Sequence, residues 1–498
     1  MRKETSTKTP YYLTSGFLSK IPGFGLILIF LLPIVLVKIN PKAGLFFIAF
    51  CISYWTVKVF ESYYFVLSSY LTLLRFNKTD FRESEIMQAE AKSVRHVVIV
   101  PIFTEPYDVI EENVAAIVAN DYPFLENVTV LLATESRVPD AEANAAKIIA
   151  KFKKSKIEIV NVVHPDGIPG EGRVKGSNIT HAIKEYEKMS KLDPHLTFVS
   201  TIDTDTLVEK NFFSIVTYKF LVTEYRDQAI YQYTPVYSNN WTKGTFFARL
   251  IAIGTTIWQL FESQNPEFYR NFAVYGQTLH CLRKSNYWSL TSIVEDGLQY
   301  WRSYFAWGSH FRIVNVPAVC KMDVVEEETF GRTVKSQYKQ LRRWSWGCTD
   351  VEYVIPEFAS RADIPFGEKF RKTGYLIQNH LFWAGGPLML FFIGYVPGIF
   401  ESLRNSIAVL TVPFASSIIF TLLFATVVFP SVISIHIMKR YTKFRKRDYL
   451  FSVLQWTLVP ILTLTLFSIP AIESQIRLFL GKRLDSFETT RKIQRKKA

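Results

Sequence analysis

Four short stretches carry residues that could do chemistry. In the first, the mostly apolar, β-branched run Thr197–Ile202 ends in Asp203 and Asp205, two carboxylates one residue apart. A run of this length reads as a buried strand. Ionised carboxylates are costly to bury, so they belong at its carboxyl end, where the chain leaves the sheet. Carboxylate oxygens suit Mg2+ or Mn2+, hard ions that usually stay attached to a substrate phosphate; a strand followed by a polar turn needs the same residues. The second stretch, Gly172-Arg173-Val174-Lys175-Gly176-Ser177-Asn178, precedes a helical pattern. Its glycines allow close backbone approach, Lys175 can meet a phosphate, and Asn178 can cap the helix. An ordinary loop and cap would look alike. In the third, Glu295-Asp296 follows Leu290–Val294, read as a strand, and opens the helical pattern Gly297–Phe305. Acidic residues there can complement the positive end of a helix, or one can act as general base toward an acceptor hydroxyl. In the fourth, Gln340, Arg343 and Trp344 stand at i, i+3 and i+4, on one helical face. Amide, guanidinium and indole suit a diphosphate and a stacked sugar ring. They equally suit an amphipathic helix at a membrane interface.

The elements that must position these residues alternate. His96–Val100, Val128–Ala133, Lys156–Val163 and Leu196–Ile202 read as strands, with Glu111–Ala119, Ala141–Lys153 and Asn178–Lys191 as helices between them. That order predicts an α/β domain with a mostly parallel sheet, whose ligands bind at the carboxyl ends of the strands. Pro101–Pro106, Thr134–Arg137 and Asp203–Asp205 all fall at such ends. The eight histidines show no HxxxH or HExxH spacing, no Gly-x-Gly-x-x-Gly follows the first strand, and there is no Walker lysine motif. Zinc-protease, dinucleotide and P-loop chemistries are thereby disfavoured.

Both ends of the 498-residue chain are strongly apolar. Phe24–Val37 and Ala43–Leu71, broken at Asn40-Pro41, read as a transmembrane hairpin rather than a cleaved signal peptide. Three more apolar stretches follow, Leu381–Val396, Ile407–Ile437 and Leu450–Ile469. Two spans plus three, starting inside, would leave the basic tail outside, so either one stretch is re-entrant or a long one crosses twice. The net charge of +14 is concentrated beside apolar segments, at Lys439–Arg447 and Arg491–Lys497. This favours cytoplasmic membrane flanks and predicts no nucleic-acid partner. Cys51, Cys281, Cys320 and Cys348 are widely separated, as expected of reduced thiols in a cytosol-facing domain.

Taken in order, Val100-Pro101-x-x-x-Glu105, Asp203-x-Asp205, Glu295-Asp296 and Gln340-x-x-Arg343-Trp344 resemble the motifs of the membrane-embedded family 2 glycosyltransferases, the group including cellulose, chitin and hyaluronan synthases. Phe487-x-x-Thr490-x-Lys492 is similar to the gating-loop pattern of processive members. The resemblance implies a GT-A fold, a divalent metal and a nucleotide-sugar donor, usually a UDP-sugar. It implies that Glu105 and Glu135 line the nucleoside pocket, that Lys175 and Asp203 hold the nucleotide, and that Asp205 binds the metal. Asp296 would be the base of an inverting displacement, with Gln340 and Arg343 on the diphosphate and Trp344 and Glu295 on the acceptor side. The chain departs from the pattern at Glu135, where many members carry Asp, and at Val294, where Thr is common. Tyr275-Gly276-Gln277-Thr278 replaces the Phe-Phe-Cys-Gly-Ser run of cellulose synthases.

The resulting expectation is a GT-A-type α/β domain inserted between transmembrane regions: a hairpin over 1–77, a cytosolic catalytic domain over 95–350, an interfacial segment over 351–380, and a transmembrane region with a basic tail over 381–498. The expected activity is extension of a polysaccharide at the plasma membrane. Transfer of one sugar to a lipid acceptor, such as an isoprenyl phosphate or a ceramide-like lipid, shares the same motifs. A non-catalytic scaffold or transporter would place polar pathway residues in its spans and would not need Asp296.

Overall fold

The computed structural model describes residues 15–425 and 427–484. They fall into two compact units. A sheet unit comprises Ser62–Ser336 with Phe429–Trp456, and a helical unit comprises the segment up to Glu61 with Gln337–Val428 and Thr457–Asp485.

In the sheet unit, eight strands form one sheet: β1 (Arg95–Pro101), β2 (Val128–Glu135), β3 (Glu158–His164), β4 (Thr197–Thr201), β5 (Leu207–Val208), β6 (Ala229–Val236), β7 (Tyr275–Thr278) and β8 (Arg312–Lys321). Their order is β3-β2-β1-β4-β7-β6-β8-β5. The first four are the strands expected from the sequence. They run parallel, joined by the helices Tyr107–Val118, Pro139–Phe152 and Lys175–Met189. β1, β2 and β4 are buried along nearly their whole length, which is why they read as near-continuous apolar runs. The other half is mixed: β7 runs antiparallel between β4 and β6, β8 lies parallel to β6, and β5 closes the edge antiparallel to β8. Its signal in sequence is weak because its strands carry buried polar groups. Gln232 of β6, for example, is fully buried and donates to the carbonyls of Phe272 and Val274.

His96 of β1 lies in this core, its Nε2 2.8 Å from Thr217 Oγ1 and its ring packed against Tyr122, Phe198 and Phe213. Burial pushes its pKa down from 6.5 to about 3. Between those values the unfolded chain binds a proton that the folded chain refuses. Stability therefore falls as pH drops through that window, by about 1.4 kcal/mol per pH unit. His96→Asn should flatten the slope of unfolding free energy against pH by about one proton between roughly pH 6 and pH 4. Denaturant unfolding of detergent-purified protein at several pH values checks this, and an unchanged slope would remove His96 as the cause.

Among the described residues five helices are long and apolar enough to cross a membrane: Gly16–Ile39, Pro41–Lys78, Phe366–Ile393, Ile407–Tyr441 and Lys446–Phe479. Four of the five apolar stretches of the sequence lie within them, and the other, Leu381–Val396, runs past the helix end at Ile393 into a turn. The third helix begins well before Leu381, because its polar opening Phe366–Gln378 is helical too. Within the helical unit, Gly385 lets Phe366–Ile393 approach Ile21–Ile39: a Cβ there would sit 2.9 Å from Ile29 Cγ2. The helix Phe330–Ser345 is fastened in the same unit through its far half. Glu473 of Ser468–Phe479 accepts from Tyr338 Oη, from Arg342 Nη1 at 2.9 Å and from Arg477 Nε at 2.6 Å. The Ser345 and Ser474 hydroxyls pair at 2.8 Å. All four cysteines are free thiols.

Candidate active site

The carboxyl ends of β1, β2 and β4 converge, as the parallel order requires. Beyond β4 the chain turns at once: the Thr206 N–H donates to Asp203 O, and Thr204 Oγ1 donates to Pro101 O at the end of β1. Asn113 holds the turn by donating to the carbonyls of Asp203 and Thr206, and Asn239 by donating to that of Asp205. The backbone of Asp203–Thr206 is thus pinned from both sides while the two carboxylates project from it.

Glu105 and Glu135 belong to one cluster. Glu105 accepts the Phe103 N–H at 2.6 Å, and burial raises its carboxyl pKa, with the charges of Asp205 and Asp203 adding to the effect. The Phe103 ring carries the Arg137 guanidinium at 4.7 Å, and Arg137 in turn pairs with Glu135. Phe103 and Arg137 escaped the sequence reading as site residues. The available signal was a cation two residues beyond Glu135 at a strand's carboxyl end.

The centre of the site is Lys175. Its Nζ lies 3.1 Å from Asp203 Oδ1, 3.2 Å from Glu295 Oε1 and 3.4 Å from Asp296 Oδ1, with its side chain only 10% exposed. Burial alone would lower its pKa, but Asp203, Asp296 and Glu295 outweigh it and hold the ammonium well above its ordinary value. Asp296 is held from its other side as well: Oδ2 accepts the Ala273 N–H at 3.2 Å, and its carbonyl accepts from Asn271 Nδ2 at 2.6 Å. Ala273 has φ of 55°, a left-handed conformation uncommon for a residue with a Cβ.

Two local expectations need correction. Leu290–Val294 is not a strand but a chain of turns. Ser289 Oγ accepts the N–H groups of Thr291 and Ser292, and Ser292 Oγ accepts that of Val294, so side chains take the bonds a ladder would need. Asn178 is not a cap. The helix opens three residues earlier, at Lys175, and Asn178 instead donates to Ala133 O at the end of β2. Gly176 is required there by contact rather than by conformation, since a Cβ would meet Ser289 O at 2.1 Å. The Gly172 N–H also donates to Leu290 O at 2.7 Å. The loop before Lys175 and the loop before Glu295 are therefore locked together.

Gln340, Arg343 and Trp344 lie on the helix Phe330–Ser345, within the helical unit. Gln340 is buried there, and Arg343 and Trp344 are half-buried. Phe487, Thr490 and Lys492 lie outside the described residues.

Residues 198–469 match the family model described as glycosyl transferase family group 2. The chain is a family 2 glycosyltransferase. No curated protein matches it. Among solved structures it is similar to a mannosyltransferase, PcManGT from Pyrobaculum calidifontis, in complex with GDP-Man and Mn2+, at 12% identity and a TM-score of 0.42, covering 82% of this chain and 98% of that one. It is also similar to a crystal structure of S. aureus TarS 1-349, at 11% identity and a TM-score of 0.34, covering 78% and 92%. A third likeness is to GalNAc-T7 with UDP, GalNAc and Mn2+, at 9% identity and a TM-score of 0.34, covering 58% of each chain. The family gives the chain its chemistry, glycosyl transfer from a nucleotide-sugar donor. Its sheet unit is the expected GT-A-type α/β domain, flanked in sequence by the apolar helices.

The residues at the end of β4 fit a divalent cation. Asp203 and Asp205 offer hard oxygen donors only. That pair suits Mg2+ or Mn2+, which take one or two protein carboxylates and complete their shell with substrate phosphates and water.

Proposed function

We propose that this glycosyltransferase extends a polysaccharide at the membrane by inverting transfer from a nucleotide sugar, most simply a UDP-sugar. The observation that carries the reading is the Lys175 ammonium, which touches Asp203 of the donor-side pair and Asp296, the candidate base, at 3.1 and 3.4 Å. A displacement of this kind needs a donor diphosphate and an acceptor hydroxyl side by side.

Asp296 takes the proton of the acceptor hydroxyl as its oxygen bonds to the anomeric carbon, while the bond from that carbon to the diphosphate breaks and the nucleoside diphosphate departs. Mg2+ or Mn2+, held by Asp205 with Asp203, would supply neutralisation of the charge developing on that leaving group. Glu105 and Glu135, with Arg137 and Phe103, form the wall for the nucleoside. The resemblance implies roles for Gln340 and Arg343 toward the diphosphate and for Trp344 and Glu295 toward the acceptor. The basic block Lys439–Arg447 argues that the catalytic domain faces the cytoplasm of a plasma-membrane enzyme, where a growing glycan and the lipid bilayer are its partners.

Opened membranes incubated with a panel of radiolabelled nucleotide sugars should convert one of them into a product of high molecular mass. Sealed cells given the same donor from outside should not. A product that partitions into organic solvent at the mass of one sugar plus a lipid would replace the polymer with a lipid acceptor, and activity in sealed cells would invert the orientation.

A further inference from the structure

Lys175 Nζ donates to Asp203 Oδ1 and Asp296 Oδ1, and Glu295 Oε1 lies 3.2 Å away as an ion-pair partner. The lysine that the family resemblance assigns to the nucleotide is therefore engaged with the protein's own acids. Its backbone is held too. Gly176 is wedged against Ser289 O, Gly172 is bonded to Leu290 O, and the Ser177 hydroxyl donates to the carbonyls of Gly172 and Val174. These contacts join the first turn of the lysine's helix to the segment that leads directly into Glu295 and Asp296.

Each oxygen of Asp296 then has a fixed partner, Lys175 on Oδ1 and the Ala273 N–H on Oδ2. Two donors aimed at opposite oxygens set the plane of a carboxylate and leave its remaining lone pairs pointing in defined directions. Removing the ammonium would take the counter-charge from Asp296 and leave its Oδ1 without the donor that sets its plane.

We infer that Lys175 is the positioning residue of the transfer step: it orients the Asp296 carboxylate and keeps it in register with Asp203, rather than serving chiefly as a ligand of the donor diphosphate. The inference rests on the proposed role of Asp296 as base. It predicts a residue whose loss damages turnover far more than nucleotide affinity.

The test uses the full-length protein in detergent, with UDP and GDP titrated in turn in the presence of Mn2+ and the tighter binder kept as probe. Lys175→Met should lower kcat by about 10²-fold or more while the nucleotide dissociation constant moves by less than about threefold, the split expected of a group that acts only in the transition state. Lys175→Arg keeps the charge but not the compact geometry. It should hold nucleotide affinity and fall between wild type and Lys175→Met in turnover. In an Asp296→Asn background, Lys175→Met should cost little further turnover, because the group it positions is already disabled. Nucleotide affinity lost in step with kcat, or losses that simply add in the double variant, would overturn the inference in favour of a donor ligand. Full turnover in Asp296→Asn alone would instead sink the proposed base, and the two failures are thus told apart.

Discussion

Asp296→Asn should reduce turnover by about 10²–10⁴-fold, the usual contribution of a positioned general base, with nucleotide affinity unchanged to within about threefold. The proposed role puts Asp296 on the acceptor, so the donor should bind as before. The surroundings of Asp296 sharpen the experiment. Both of its oxygens accept, from Lys175 and from the Ala273 N–H, whereas an asparagine amide offers one acceptor oxygen and turns an NH2 toward one of those donors. The substitution therefore removes basicity and one hydrogen bond together. Turnover should be measured with a radiolabelled donor beside calorimetry of UDP binding and a thermal unfolding scan. Normal unfolding with intact UDP binding and lost turnover isolates the base. Loss of UDP binding in step with turnover would move Asp296 to the donor site, and loss of neither would remove it from the mechanism.

Asp205→Asn should have an effect at least as large, about 10³-fold or more in turnover, because a metal on a leaving diphosphate supplies several kcal/mol of charge stabilisation. Here affinity must fall too. The amide is a poorer ligand for a hard cation, so Mn2+-dependent UDP binding should weaken together with turnover. The carbonyl of Asp205 still accepts from Asn239 and the turn at Asp203–Thr206 stays closed, so the variant should fold normally. Excess EDTA should silence the wild type, with activity restored by added Mg2+ or Mn2+. Full activity of Asp205→Asn, or of wild type in EDTA, would show that no metal is held here.

The four parallel strands and their carboxyl-end residues were legible because each signal is local. Thr197–Ile202 is apolar and β-branched up to the two aspartates, and that contrast alone predicts where a strand ends and a polar site begins. The meeting of Lys175 with Glu295 and Asp296 was not legible from spacing. The residues are far apart in sequence, and what joins them is the contact of Gly176 with Ser289, which no periodicity records. The resemblance named these residues without the contacts that join them. Leu290–Val294 misled for a related reason. Its apolar residues suggested a strand, while the decisive partners were the hydroxyls of Ser289 and Ser292. The mixed half of the sheet was hidden by buried polar side chains such as Gln232, which are tolerated only because distant carbonyls accept from them.

Glu473 turns part of the helical unit into a mechanical linkage. Tyr338 and Arg342 grip it from one helix and Arg477 from its own, so the helix Phe330–Ser345 is splined to the last apolar helix. A shaft splined at Tyr338 and Arg342 cannot turn at Gln340, Arg343 and Trp344 by itself, because one residue's worth of rotation, about 100°, would carry both grips off the carboxylate. The three residues thus take their heading from a helix long and apolar enough to cross a membrane.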